Sequence, residues 1–199
     1  ENTSGFSVWA ADNSTLFYNK KNLQTLRSEA IYKHQVYSPE QADQLVYEEV
    51  DETFSVYITS SKSRKYIFIS SQSTTTSEYR FIKSDEPEAD FKIIQPRTIG
   101  LEYDVAHFGD HFYLHTNLNQ ATNFQIMRTS VDHTSTEFWE PLLQYRKEVL
   151  IEDFELFDQY WVVNERENGL SRLRILRWDQ SEDYYLAVEE ETYSLYFSY

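Results

Sequence analysis

Three histidines, His107, His111 and His115, recur at intervals of four residues. On a helix this spacing would gather the imidazoles on one face as metal ligands. The intervening Phe108-Gly109-Asp110 reads instead as a turn between two strands. That turn puts His111 and His115 on one strand and His107 on its neighbour, so surface or edge-strand histidines are expected and a metal site is not. Serine is plentiful, with Asp and His to hand, but no Gly-x-Ser-x-Gly elbow exposes and activates one hydroxyl as a nucleophile. The four glycines, Gly5, Gly100, Gly109 and Gly169, lie far apart. A phosphate-binding loop needs them clustered so that backbone N–H groups can approach the phosphates, and no nucleotide cofactor is expected. Cysteine is absent, which excludes disulfides, Cys-ligated zinc and thiol catalysis and fits a reducing compartment.

The elements that must position any site come from short apolar runs rich in Tyr, Phe, Val, Ile and Thr, separated by turn residues. Such runs predict strand after strand and no long helical stripe. They also recur. Units over residues 6–52, 53–100, 101–148 and 149–192 are 47, 48, 48 and 44 residues long, and 193–199 opens another. Each begins with a comparable segment: FSVWAAD, FSVYITS, LEYDVAH, VLIEDFELF and then YSLYFSY. Second, third and fourth strands follow in the same order in each unit. A period of roughly 40–50 residues is that of one four-stranded propeller blade. The fold class is therefore all-β, a partial β-propeller of about four blades; a sandwich or large barrel is the alternative but needs no such repeat. A lone four-stranded sheet cannot bury both faces, whereas radial stacking lets each blade cover the next. Tyr18, Phe68, Tyr113 and Trp161 occupy comparable places in the second strands and are expected between blades.

Charge bears on partners. With 33 Asp+Glu against 18 Lys+Arg the chain carries −15, the wrong sign for nucleic acid. No run approaches the roughly 18 apolar residues of a membrane-spanning helix, and no signal peptide is written. A chain that begins at Glu1 reads as a piece of a longer protein or a processed one. The sequons at Asn2 and Asn13 carry little weight without an export signal. Four acids, Glu102, Asp104, Glu152 and Asp153, fall in the first segments of their units. If those segments are innermost, the carboxylates line a central channel, where one sign of charge on a low-dielectric wall attracts cations. Pairing with Lys and Arg of adjacent strands is the plainer alternative. The acid runs 47–52 and 189–191 read as solvated strands and loops. Glu165, Arg166, Arg172, Arg174 and Arg177 read as inter-strand ion pairs, with a contact to another domain as the alternative.

Several segments, in order, carry a resemblance: VWAADNSTLFY, YEEVDETFSVYITSS, TTTSEYRFI, EYDVAHFGDHFYLHTN, NFQIMRT and WVVNERENGLSRLRI. Over roughly Val8 to Ile175 the chain resembles the propeller of the oligopeptidase B (protease II) group, within the prolyl oligopeptidase family of serine peptidases. The resemblance implies a cytoplasmic peptidase whose seven-bladed propeller caps an α/β-hydrolase catalytic domain of the same parent chain. Short basic peptides would be cut after Lys or Arg, with the propeller excluding large folded substrates. In that family the catalytic Ser, Asp and His belong to the hydrolase domain, so no catalytic residue is carried over to this chain. Four blades would be a little over half the ring. Cutting a radial array exposes a blade face at each end, so self-association or abnormal closure of the isolated chain is expected. The alternative function is a free-standing propeller that scaffolds protein partners. A propeller enzyme with its own site at the channel mouth has no supporting motif.

Overall fold

The computed structural model describes residues 2–190 together with Tyr193 and Leu195. Among them, sixteen strands form four antiparallel sheets, each a simple meander of four consecutive strands. Blade 1 comprises β1 (Thr3–Trp9), β2 (Thr15–Lys21), β3 (Ser28–Gln35) and β4 (Gln44–Glu48). Blade 2 comprises β5 (Ser55–Ser60), β6 (Tyr66–Gln72), β7 (Ser77–Lys83) and β8 (Lys92–Gln95). Blade 3 comprises β9 (Tyr103–Phe108), β10 (His111–Thr116), β11 (Gln125–Ser130) and β12 (Glu140–Leu143). Blade 4 comprises β13 (Val149–Leu156), β14 (Tyr160–Glu167), β15 (Leu170–Arg177) and β16 (Asp183–Tyr185). The helices described are single 3-10 turns at Glu40–Ala42, Leu118–Gln120 and Thr136–Phe138.

Tight turns set the registers. Asn168 and Gly169 join β14 to β15 with φ of 51° and 83°. Two successive positive φ values define the type I′ hairpin, whose twist matches that of the flanking strands. Gly109, φ 63°, does the same service between β9 and β10, pairing Phe108 with His111. The two outermost strands of blades 1 and 3 are linked instead through the longer 3-10 connections.

Side chains alternate across each strand, so one face of a blade packs on the blade before it and the other on the blade after. Phe17 and Ile31 of blade 1 meet Val56, Ile58, Ile67 and Ile69 of blade 2. Tyr66, Phe68 and Phe81, from the other face of blade 2, meet Tyr103, Phe112 and Leu114 of blade 3. Tyr113 and Ile126 of blade 3 then meet Ile151, Leu156, Trp161 and Val163 of blade 4. Phe68, Tyr113 and Trp161 thus lie between blades. Tyr18 does not. Its neighbour Phe17 fills the junction with blade 2, and Tyr18 points to the opposite, outward face of blade 1. There it stacks on Tyr32 at 6.0 Å and donates to Asp43 Oδ2 at 2.6 Å. A one-residue offset along a strand is enough to reverse the face.

Candidate functional site

The first strand is an edge strand in every sheet. β1 packs beside β5, and β9 beside β13. Two of the four acids singled out above occupy matching places on adjacent edge strands. Asp104 of β9 lies opposite His115 of β10, and Asp153 of β13 lies opposite Asn164 of β14. The Asp104 carboxylate accepts from Tyr79 Oη at 2.7 Å and from Gln72 Nε2 at 3.3 Å, and stands 3.7 Å from His115 Nδ1. Crowding by protein atoms strips part of its hydration, which pushes the carboxyl up; the His115 and Tyr79 contacts outweigh this and hold it below the usual carboxylate range. Tyr79, desolvated and facing that negative charge, is raised well above the usual phenol value. At Asp153 the balance tips the other way. Lost hydration leads, and the nearby charges of Asp104 and Glu155 add to it, so its carboxyl is raised despite a 2.8 Å bond from Phe154 N–H. Two neighbouring carboxyls are thereby driven apart in acidity, and both remain open to water. Such a pair suits the attraction of a cationic group.

Glu102 and Glu152 do not join them. Glu102 Oε1 accepts from Asn117 Nδ2 at 3.1 Å, while Asn117 Oδ1 takes the Glu102 N–H at 2.9 Å. Glu152 sits where the β13–β14 register shifts and accepts from Arg166 Nε at 2.7 Å. For these two the plain ion-pair or hydrogen-bond reading describes the structure. Two arginines of blade 4 also pair between strands, Arg172 with Glu167 and Arg174 with Asp183 at 2.6 Å, while Arg177 pairs with Asp179 at 3.1 Å and Glu182 at 3.3 Å in the turn after β15. Glu165 is buried against Arg146 and the Tyr185 hydroxyl.

The histidines bear out the edge-strand half of the expectation for His107, which lies on the edge strand β9, and correct its surface half. His107 is 4% exposed and His115 7%. As expected they lie on neighbouring strands, yet they point to different junctions. His107 Nδ1 meets Ser63 Oγ of blade 2 at 2.7 Å, with its ring 4.6 Å from that of Tyr66. Burial, reinforced by the Lys65 charge, lowers its pKa to about 4, and the ring is neutral at pH 7. His107 Nε2 has no hydrogen-bond partner among the described residues; His107 is one of the residues lining a cavity of about 750 Å³, with Phe108, Leu156 and Phe157. His115 Nε2 reaches Ile151 O of blade 4 at 2.8 Å, and its ring stacks on Phe124. Among the described residues no group of three or more His, Asp or Glu side chains is placed to hold a metal ion.

One acid in the 47–52 run is also not solvated. Glu49 is 4% exposed and takes bonds from Arg97 Nη2 and Ser71 Oγ, both at 2.5 Å. Burial raises its carboxyl, but the Arg97 and Ser71 bonds prevail and pull it down to about 2. Glu189 and Glu190 are exposed as expected; Glu191 lies outside the described residues. Sequence reasoning missed Glu49 because its cation lies 48 residues away, beyond any local spacing rule. It missed Tyr79 for a similar reason. The matching of Asp104 with Asp153, by contrast, could be found by aligning LEYDVAH with VLIEDFELF at the aspartate.

Comparison with known proteins agrees with this architecture. Residues 1–198 match the family model described as prolyl oligopeptidase, N-terminal beta-propeller domain. Dipeptidyl aminopeptidase BI of Pseudoxanthomonas mexicana is 40% identical over 188 residues, covering 94% of this chain and 26% of that protein. Protease 2 of Moraxella lacunata is 28% identical over 197 residues, 95% of this chain and 28% of that protein. Oligopeptidase B from Leishmania major superposes with a TM-score of 0.88 at 26% identity, over 96% of this chain and 28% of that one. The chain thus spans about a quarter of the length of these relatives. With sheet order, repeat and whole-length match in agreement, the chain belongs to the prolyl oligopeptidase family and supplies that family's N-terminal β-propeller.

Proposed function

We propose that this propeller is the size filter and gate of a serine oligopeptidase that cleaves short peptides after Lys or Arg. A narrow passage, or hinged opening against a catalytic domain, limits entry to short chains, while acyl transfer takes place on a hydrolase domain outside this sequence. The observation that carries the basic-peptide reading is the Asp104–Asp153 pair on adjacent edge strands, set in a chain of net charge −15. Lining the channel, these carboxylates steer cationic peptides inward. The names of the relatives, Protease 2 and oligopeptidase B, support a peptidase; the scaffold alternative draws no support from them. The proposal includes a cytoplasmic setting, supported by a chain without cysteine.

Steering is tested with Asp104→Asn and Asp153→Asn together in the full-length protein. For Lys/Arg peptides kcat/KM should fall roughly three- to tenfold at low salt, converge with the parent at high salt, and stay unchanged for a neutral peptide. Equal rates at every ionic strength would remove the steering and leave the filter. A second reading, release of dipeptides from a chain end, is favoured by the 40% identity to a dipeptidyl aminopeptidase. Mass spectrometry of the products separates it from internal cleavage after Lys or Arg. The proposal extends to self-association of the chain on its own, through faces such as that of Tyr18 and the exposed Phe6. Sedimentation at two concentrations should show a mass that rises with concentration; a constant monomer mass excludes it.

A further inference from the structure

The turn 61–65 joins β5 to β6 in blade 2 and carries Lys62, Arg64 and Lys65, in a chain of net charge −15. Lys62 reaches past blade 3 to blade 4. Its Nζ donates to Glu155 Oε1 at 2.7 Å and to Leu156 O at 3.1 Å, and lies 3.8 Å from the centre of the Phe157 ring. A carboxylate, a carbonyl and the negative face of a ring, on consecutive residues, are together a receptor for an organic cation.

That receptor is held by bonds that do not involve Lys62. Glu155 Oε1 also accepts from the Leu156 N–H at 3.1 Å. Trp178 Nε1 donates to Phe157 O at 2.8 Å, and the Phe157 N–H donates to Tyr160 O at 2.8 Å. Lys62, by contrast, is a flexible arm with 46% of its side chain exposed, whereas Glu155 keeps only 12%. One partner is fixed and the other can leave.

Position ties this receptor to the acids of the first strands. Asp153 and Glu155 are two residues apart on β13 and so turn to the same side. Asp153 feels the charges of both Asp104 and Glu155, which makes the three a row, with Lys62 seated on its last member. Beside Lys62, the first hairpin turns of blades 2, 3 and 4 line the cavity of about 750 Å³, which has room for a second side chain.

We propose that Glu155, the Leu156 carbonyl and the Phe157 ring form a binding subsite for the basic side chain of a peptide, and that Lys62 fills it until such a side chain takes its place. That the occupant belongs to a peptide substrate rests on the reading under Proposed function; the cation site itself rests on the three contacts. The exchange leaves no charge unpaired, because one cation replaces another and the displaced ammonium returns to water. An ion pair this exposed is weakly held and lets go readily. A neutral side chain offers no replacement, so the arrangement selects by charge.

Acylation of lysine amines by an N-hydroxysuccinimide ester, read by mass spectrometry on the full-length protein, tests it, with the exposed Lys92 as internal reference. Nα-acetyl-arginine amide, whose guanidinium does not consume the ester, should speed labelling of Lys62 about two- to fivefold, the factor that such an ion pair is worth. Nα-acetyl-norleucine amide at matched ionic strength should not. In Glu155→Gln, Lys62 should label at the faster rate without the probe and gain nothing further from it. Phe157→Leu, which keeps the bulk and removes the ring, should raise the starting rate about twofold. In Lys62→Met, kcat/KM for Lys/Arg peptides should rise about two- to fivefold at low salt, with a neutral peptide unchanged. Unchanged Lys62 labelling with the arginine probe, or equal acceleration by the norleucine probe, overturns the proposal, and so do parent-like Lys/Arg kinetics in Lys62→Met. Charge-selective labelling in a protein that hydrolyses no Lys/Arg peptide keeps the cation site and removes the substrate reading instead.

Discussion

Between blades 1 and 2 the packing is aliphatic: Ile31, Val56, Ile58, Ile67 and Ile69, with Phe17 as the main ring among the fully buried residues. Between blades 2 and 3 it is aromatic. Phe112 stands 5.2 Å from the Tyr66 ring, 5.7 Å from Phe68 and 4.9 Å from Phe81, each edge to face. The two faces belong to the same sheet, and each packs on a four-stranded meander of the same strand order. Beside the first core Glu49 and Glu78 are buried about Arg97, and beside the second His107 is buried. A blade junction therefore demands a filled gap and correct strand parity, and leaves the chemistry of the filling free. Branched aliphatics fill it by shape alone, whereas rings add orientation-dependent contacts between a negative face and a positive edge.

The sharpest way to break this comparison is to truncate one central residue on each side. Phe112→Ala should cost about 3–5 kcal/mol, from lost burial plus the cavity left among three rings. Ile67→Ala, equally buried, should cost about 2–5 kcal/mol and fall below Phe112→Ala by roughly the value of the ring contacts, about 0.5–1.5 kcal/mol each. Denaturant unfolding of the two variants checks both sign and order. Equal losses would mean that the rings act only as bulk.

How much of this was legible in the sequence follows from range. Strand order and the face-to-face stacking were readable because period-2 alternation and a repeat near 47 residues are local properties. Absolute parity was not: Phe17 and Tyr18 are both aromatic, and only the presence of blade 2 shows which of them faces it. The same limit hid the burial of His107, on its edge strand, and of His115, each of which carries a bond across a junction, to Ser63 and to Ile151. Of the four acids, Asp104, Glu152 and Asp153 fall on first strands and Glu102 just before one, and position in the repeat could not separate Asp104, which finds Tyr79 in the neighbouring blade, from Glu102, which finds Asn117 within its own. Contacts between blades are decided by residues dozens of positions apart, and no spacing rule reaches that far.

A pH titration sharpens the comparison with a smaller effect, because the two junctions titrate in opposite chemical senses and adjacent windows. His107 is held neutral by burial, its pKa lowered from 6.5 to about 4. The unfolded chain takes up this proton first as pH falls, so the contribution is fully present above pH 6.5 and is lost on descending toward 4. Glu49 is held ionised by Arg97 and Ser71, its pKa lowered from 4.5 to about 2. Here too the unfolded state binds the proton first, and the contribution, complete above pH 4.5, is lost between there and about 2. His107→Gln should therefore flatten the dependence of stability on pH between 6.5 and 4.5 relative to the parent and leave the more acidic limb alone, while Glu49→Gln should do the reverse at the cost of leaving Arg97 with the more distant Glu78 as its carboxylate partner. Measured as differences from the parent, the shared titration of the remaining acids cancels. A His107→Gln profile parallel to the parent through the upper window would mean that this imidazole is as free to take a proton in the fold as out of it, and the aromatic junction would then differ from the aliphatic one in packing only.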